Sequence, residues 1–195
     1  KTTSPEFKEH HHDLLGICQH TLQFCAKTQI ECSFSDIING NQIQAQALLM
    51  HRACFVTLLK NKQLRGCIGS LQAYRPLLED LVQNTCAAAL RDPRFEPVTI
   101  KEVKDISIHI SILTQAEKMH VNSEQDLLEQ LAAGIDGLVL SDGNNSATYL
   151  PSVWEELPKK KDFVQQLKLK AGLAADYWSD SIECKNYQCE TISSS

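Results

Sequence analysis

Strict alternation of apolar and polar residues marks the clearest strand of the chain, from Asp105 to Leu113. Four isoleucines fall on one face of this segment, and Ser107, His109 and Ser111 fall on the other. Such alternation is typical of a strand with one face in the core and one face that is solvated or lines a cavity. His109 is therefore either a solvated strand residue or a residue of a cleft.

Other stretches of the chain show the period of helices or of further strands. Apolar residues at helical spacing predict helices from about Glu9 to Lys27, from Pro76 to Arg91 and from Lys159 to Ala171. Apolar runs bounded by turn residues predict strands at 51–59, 64–69, 137–140, 147–150 and 182–191, and Asn39-Gly40-Asn41 predicts a turn. Hairpins with intervening helices, and no regular strand–helix–strand cadence, indicate an α+β fold rather than a doubly wound parallel sheet.

The order of these elements also predicts how the chain is divided. Two similar groups of a hairpin or strands plus a helix, around 51–91 and 105–171, indicate two subdomains with mostly antiparallel sheets. The polar seam between them is the expected cleft. Residues 1–9 are expected to form a disordered tail, and 10–195 a single domain.

Composition narrows the function classes. Of 195 residues, 43% are hydrophobic and 22% are charged, and the net charge of −5 gives no whole-surface attraction for nucleic acid or an anionic membrane. No apolar run reaches the length of a membrane span, and the first residues lack the regions of a signal peptide. The eight cysteines lie in apolar helix and strand patterns, so reduced thiols and a cytoplasmic location are expected.

The run Leu64-Arg65-Gly66-Cys67-Ile68-Gly69 is the most unusual stretch. Two glycines in a short strand indicate a bend or a close approach of another backbone. In a regular strand Arg65 and Cys67 project from the same face, and a nearby guanidinium favours a thiolate over a thiol. Cys67 is thus a candidate nucleophile, with burial as a small apolar residue as the alternative.

Standard catalytic and cofactor signatures do not occur, so no cofactor and no metal are predicted. Structural zinc in particular lacks paired ligands, and the seven-residue spacing of Cys18, Cys25 and Cys32 is explained by packing on one helix face. The remaining candidates are polar or aromatic residues beside turns and strands, together with two glycines. They are the catalytic candidates Cys67, Arg65 and His109, and the substrate-binding candidates Gly66, Gly69, Asp92, Arg94, Ser111, Trp154 and Glu155.

Each candidate outside the hexapeptide also has a structural interpretation. Asp92 and Arg94 flank a proline and would pair with each other or cap the preceding helix. Trp154 would be a core anchor, and Glu155 would belong to a solvated acidic face. These alternatives stay open at the level of the sequence.

Several motifs occur together and in the order found in one known family. They are Leu64-Arg65-Gly66-Cys67-Ile68-Gly69-Ser70-Leu71, Arg75-Pro76-Leu77, Asp92-Pro93-Arg94-Phe95-Glu96-Pro97, Ile108-His109-Ile110-Ser111-Ile112-Leu113, Gly134-Ile135-Asp136-Gly137-Leu138, Tyr149-Leu150-Pro151-Ser152-Val153-Trp154-Glu155 and Leu167-Lys168-Leu169-Lys170-Ala171-Gly172-Leu173. The chain resembles the AMMECR domain family, whose bacterial members are called AmmeMemoRadiSam system protein A, over roughly residues 10–190.

The resemblance implies an α+β fold with two unequal, interleaved subdomains, and it matches residues 64–69 to the signature hexapeptide of the family. The family name reflects a genomic association with Memo-type and radical S-adenosylmethionine proteins, which makes these the implied partners. It does not define a reaction. Family members often carry an arginine shortly before the Tyr149-Leu150-Pro151 motif, whereas this chain has Asn144-Asn145-Ser146-Ala147, so an anion-binding role of that arginine does not transfer.

Two hypotheses of function follow. In the first, the chain is an accessory protein or small enzyme of a modification pathway that binds an unknown small molecule. Its cleft is built around residues 64–69, with Cys67 as a thiolate or a wall and with Arg65 or Arg94 holding an anionic group. In the second, it is a non-catalytic module that docks onto the Memo-type or radical enzyme. Neither hypothesis includes nucleic acid or a membrane.

Overall fold

The computed structural model describes residues 6–38 and 46–194. The chain forms two compact units, of which the first runs to Leu113 and resumes at Glu190, and the second comprises Thr114–Cys189. Each unit contains a four-stranded sheet with antiparallel pairings, and both contain helices. This is the α+β fold that the sequence predicts. None of the helices in the described part is long and apolar enough to cross a bilayer.

The elements are numbered in chain order. The first unit contains α1 (His11–Thr28), α2 (Phe34–Ile38), β1 (Cys54–Lys60), β2 (Gln63–Gly69), α3 (Leu77–Leu90), β3 (Ile106–Leu113) and most of β8 (Cys189–Ser193). The second contains β4 (Glu117–Met119), α4 (Glu124–Gln130), β5 (Gly137–Asp142), β6 (Asn145–Tyr149), α5 (Lys160–Lys170) and β7 (Glu183–Tyr187). Short 3-10 helices lie at Lys8–His10, Gln46–Leu49, Val103–Asp105 and Pro151–Glu155. The turn predicted at 39–41 falls outside the described residues.

The predicted hairpin of β1 and β2 is present and sets the register of the hexapeptide. Asn61 and Lys62 join the strands with φ values of 52° and 64°, the left-handed conformation that a two-residue hairpin turn requires. Cys67 lies opposite Thr57. A register shift leaves Arg65 as an extra residue in β2, so it does not follow the regular alternation that predicts a shared face with Cys67.

The first sheet has the strand order β2-β1-β3-β8, and its two faces differ. Val56, Leu58, Ile108 and Ile110 are buried and belong to one core with the apolar faces of α1 and α3. The alternate residues of β1 and β3 are half-buried. The alternation in β3 therefore predicts the core face correctly.

Gly66 lies on the core side of β2, where α3 approaches closely. A Cβ at this position would collide with the carbonyl group of Ala88, whose carbon would be 3.1 Å away. The helix is thin at this level, since the run from Cys86 to Ala89 carries small side chains only. Gly66 is thus required for the packing of α3 on the sheet, and its buried position makes it a poor substrate contact.

The first described residues pack against and hydrogen-bond to the rest of the first unit. Phe7 is 2% exposed and belongs to the core, although it falls within the segment predicted as a disordered tail. Its backbone N–H donates to the Glu190 carboxylate, and the His11 ring lies 2.7 Å from the same side chain. The burial of an aromatic ring explains why residues 6–9 adopt a defined position.

In the second unit the strand order is β4-β7-β5-β6. One long strand is predicted at 182–191, but the structure has two: β7 pairs with β4 and β5, whereas β8 belongs to the first sheet. Only Gln188 separates them, so the chain changes sheets within one residue and the apolar pattern shows no interruption. Helix α4 is capped by Ser123, whose hydroxyl accepts a hydrogen bond from the Asp126 backbone N–H.

Candidate functional site

A row of polar side chains crosses the first sheet. Thr57 lies opposite Cys67 on one side and opposite His109 on the other. Its hydroxyl is 3.1 Å from the Cys67 sulfur, and the Ser193 hydroxyl is 3.2 Å from His109 Nδ1. Facing residues of neighbouring strands project from the same side of a sheet. Two of the predicted catalytic residues, Cys67 and His109, therefore share one half-buried face.

The spacing within this polar row decides which chemistry it can perform. Cys67 and His109 are two strands apart, and neighbouring strands lie about 4.8 Å from each other, so their Cα atoms are about 10 Å apart. The imidazole therefore does not take a proton directly from the thiol. Thr57 occupies the position between them, and a group bound across Thr57 would meet sulfur at one end and imidazole at the other.

Ser111 and Gly69 lie at the next level of the same face. Both face Phe55 of β1, Ser111 from β3 and Gly69 from β2. A Cβ at Gly69 would collide with the Phe55 ring, so this glycine makes room for an aromatic side chain beside the polar row. The predicted residue Ser111 therefore adds a hydroxyl near the row, and Gly69 acts through the placement of Phe55.

Asp92 and Arg94 bind the backbone of the edge strand β2 at Cys67. The buried Asp92 carboxylate accepts the Cys67 backbone N–H at 2.9 Å, and Arg94 Nη2 lies 3.4 Å from the Cys67 carbonyl oxygen. The Asp92 carboxylate also accepts hydrogen bonds from Arg94 Nε and Nη2, at 2.9 and 2.7 Å. Hydrogen bonds from Arg94 hold the pKa of the Asp92 carboxyl well below its usual range. The predicted pairing of the two residues is thus present, and it fixes the backbone of the candidate nucleophile.

Arg65 is also paired. Its Nε and Nη2 donate to the Glu102 carboxylate at 3.2 and 2.8 Å, and Lys60 Nζ donates to it at 2.9 Å. Burial acts to raise the pKa of Glu102, but the hydrogen bonds from Arg65 and Lys60 prevail and lower it to about 2. Only Nη1 of Arg65 has no partner among the buried side-chain nitrogens and oxygens of the described residues. An anionic ligand that binds Arg65, as the sequence predicts, would have to compete with the Glu102 carboxylate for this side chain.

The two remaining candidates belong to the second unit. Trp154 is 5% exposed, its ring stacks on Phe163 with centroids 3.8 Å apart, and its indole N–H donates to the Asp136 carbonyl oxygen at 2.7 Å. It is therefore a core residue, which is the structural interpretation given above, and it offers no free ring face to a substrate. Glu155 is exposed beside it.

The eight thiols differ in their surroundings. Cys67 and Cys189 are half-buried and the other six are buried. Burial raises the pKa of Cys189 to about 12 and that of Cys18 to about 12. In a cluster that the sequence analysis missed, hydrogen bonds from Cys25 and Cys32 lower the pKa of Cys86. The sequence carries no signal for this cluster, because α1, the segment after it and α3 each contribute one cysteine and only the fold brings them together.

A groove of about 730 Å³ lies elsewhere in the first unit. It is lined by α1, the segment before β3 and the core face of β3, and contains Lys27, Lys104 and Ile108. None of the predicted site residues lines it. The candidate site is therefore the half-buried face of the sheet rather than this groove.

Comparisons with known proteins agree with the motifs. A model of the AMMECR1 family matches residues 17–192. Protein MJ0810 of Methanocaldococcus jannaschii is 41% identical over 130 residues, 65% of this chain and 65% of that protein, so the chain spans slightly less than two thirds of this relative. Protein MK0488 of Methanopyrus kandleri is 36% identical over 153 residues, 74% of this chain and 72% of that protein.

A solved structure has the same fold. The crystal structure of uncharacterized protein PH0010 from Pyrococcus horikoshii is similar with a TM-score of 0.80 and 26% sequence identity, over 94% of this chain and 90% of that one. The family model covers most of the chain, and both relatives are more than 30% identical to it over 130 residues or more. The chain belongs to the AMMECR1 family.

Proposed function

We propose that the chain is a thiol-dependent accessory protein or small enzyme of a modification pathway, with Cys67 as its nucleophile. The observation that carries this proposal is the polar row of Cys67, Thr57, His109 and Ser193 on the half-buried face of the first sheet. A sheet face that only had to be solvated would not require a thiol in contact with a hydroxyl. The Memo-type and radical S-adenosylmethionine proteins are the proposed partners, and the cytoplasm is the proposed location.

The arrangement suits transfer of a group from an electrophilic carbonyl compound. The Cys67 sulfur forms a bond to the carbonyl carbon and the bond to the leaving group breaks. The thiol proton passes to water, either directly or by relay through the Thr57 hydroxyl, which gives up its own proton as it takes the one from sulfur. The leaving group takes up a proton at the other end of the substrate, where the His109 imidazole can relay it from water. The product of this step is a thioester on Cys67.

Asp92 and Arg94 support this step as positioning residues. Their side chains hydrogen-bond to the backbone N–H and the backbone carbonyl of Cys67. These bonds hold the edge strand β2, and with it the Cys67 sulfur, in place. Since the guanidinium groups of Arg65 and Arg94 are already paired with carboxylates, the proposed substrate is neutral or weakly anionic at this end.

Acylation by p-nitrophenyl acetate tests the proposed nucleophile. We expect a burst of about one equivalent of p-nitrophenolate from the wild type, and a thioester on Cys67 in the peptide map. Cys67→Ser should lose this burst. Cys189→Ser is the matched control because Cys189 is the other half-buried thiol, and it should keep the burst. A burst of equal size in Cys67→Ser would refute the nucleophile.

A docking function is the second candidate, because apolar side chains are exposed at the start of the hexapeptide and shortly after it. Leu64, Leu71 and Tyr74 are 41, 37 and 66% exposed. Aromatic and aliphatic side chains of this kind anchor many interfaces. The occupant of this surface would be the Memo-type or the radical enzyme.

Co-purification separates the two candidates. If docking is the function, Tyr74→Ser should lose the tagged Memo-type or radical protein, and Cys67→Ser should keep it. If Cys67 chemistry is the function, both variants can bind, but only Tyr74→Ser should retain the acylation burst and the dependent modification. A wild type that binds neither partner refutes the docking function.

A further inference from the structure

Three thiols converge inside the first unit, away from the polar row of Cys67. The sulfur atoms of Cys25 and Cys32 each lie 3.0 Å from that of Cys86 and 3.9 Å from one another. The three residues are 0, 6 and 2% exposed in the order Cys25, Cys32 and Cys86. They form a group whose potential metal-ligating atoms all lie within 4.8 Å of one another.

Two features of the chain bring these cysteines together. Helix α1 ends at Thr28, and Gln29 takes the left-handed conformation with its backbone N–H on the Cys25 carbonyl oxygen. The chain then turns back, so Cys32 returns to the level of Cys25. Helix α3 supplies Cys86 from across the α1–α3 contact. The interpretation that Cys18, Cys25 and Cys32 pack on one helix face is therefore wrong for Cys32, which lies beyond the end of α1.

We propose that Cys25, Cys32 and Cys86 bind one soft metal ion, Cu(I) or Zn(II), through three thiolates. A donor set of sulfur alone selects soft ions such as these over Mg²⁺, Ca²⁺ or Mn²⁺. The site differs from the proposed acyl site in both residues and chemistry. Its occupation does not depend on Cys67.

The size of the sulfur triangle fits such an ion. The circle through the three sulfur atoms has a radius of about 2.0 Å, from the distances given above, whereas a metal–thiolate bond is about 2.3 Å long. An ion about 1.1 Å out of the sulfur plane, or an outward shift of the side chains by a few tenths of an ångström, satisfies all three bonds. The thiol protons leave as the bonds form.

The number of ligands favours Cu(I) over Zn(II). Structural zinc takes four ligands, and catalytic zinc takes three plus an open position for water. Among the described residues the group offers three sulfurs, and it is buried. Cu(I), a closed-shell ion, is satisfied by three thiolates. The core packing of three small thiols without a metal is the alternative that the experiment has to exclude.

Competition with a chromogenic chelator tests the site on the reduced full chain without oxygen. We expect the wild type to retain one equivalent of Cu(I) against bathocuproine disulfonate and to hold Zn(II) more weakly against 4-(2-pyridylazo)resorcinol. Cys86→Ala should weaken binding by more than about 100-fold, because even changes outside the ligand set cost about 10–100-fold. Cys18→Ala is the matched control, since Cys18 is a buried cysteine of α1, the helix that carries Cys25, but lies outside the group, and it should bind as the wild type.

X-ray absorption of the copper-loaded wild type keeps the test independent of how the variants fold. Three sulfur neighbours at about 2.3 Å would support the site. Nitrogen or oxygen neighbours, equal copper retention by Cys86→Ala, or a wild type that loses both metals to the chelators would overturn it. The proposal would also be overturned if Cys86 forms a disulfide with Cys25 or Cys32 again after reduction and no metal is retained.

Discussion

Removal of the Asp92 carboxylate should loosen the strand that carries Cys67. Asp92→Ala leaves the Cys67 backbone N–H without its acceptor at 2.9 Å, and an orphaned buried donor costs about 1–3 kcal/mol. The Arg94 side chain is 52% exposed, so its lost ion pair adds only about 0–1 kcal/mol. We therefore expect the free energy of unfolding to fall by about 1–4 kcal/mol. Asp92→Asn should cost about 1–2 kcal/mol, because an amide oxygen still accepts the N–H.

Urea unfolding followed by circular dichroism measures this loss, and hydrogen exchange of the Cys67 amide reports it locally. Glu96→Ala, an exposed change in the same loop, is the control and should stay within about 0.5 kcal/mol. Because the pKa of Asp92 is lowered by folding, its contribution is complete above about pH 4 and is lost as the pH falls further. A cost below about 1 kcal/mol for Asp92→Ala, or unchanged exchange at Cys67, would refute the backbone role.

Further variants test the packing and the pairing of individual residues. Gly66→Ala should destabilise the fold by about 1–3 kcal/mol in urea unfolding, because its Cβ meets the α3 backbone, whereas Gly16→Ala has free space and should stabilise by about 0.5–1 kcal/mol. Glu102→Gln should cost about 1.5–3 kcal/mol at pH 7. This difference from the wild type should shrink as the pH falls from about 4 towards about 2, since the lowered pKa gives a contribution that acid removes. Trp154→Phe should cost about 1–3 kcal/mol, because a buried carbonyl loses its indole donor, and a loss near zero would contradict a core role.

The periodic parts of the chain are predictable from the sequence. The alternation in β3 gives the correct core face, and the turn residues Asn61 and Lys62 lie where the hairpin is expected. These features depend on residues close together in the sequence. The break between β7 and β8 is not predictable in this way, because pairing with different sheets decides it.

The candidate site is only partly predictable for the same reason. Cys67 and His109 are recognisable as polar residues on strands, but Thr57 between them emerges only from the register. The pairing of Arg65 with Glu102 depends on a loop 37 residues away, and it competes with the expected role in anion binding. The thiol group of Cys25, Cys32 and Cys86 requires the contact of two helices.

Site-resolved alkylation of the native chain at graded pH tests the central proposal most directly. Iodoacetamide labelling followed by peptide mass spectrometry gives a rate for each of the eight thiols. Cys67 should react faster than the other seven at neutral pH, with Cys189 far behind it because burial raises its pKa to about 12. An inert Cys67, or a rate no higher than that of Cys189, would contradict its assignment as the nucleophile.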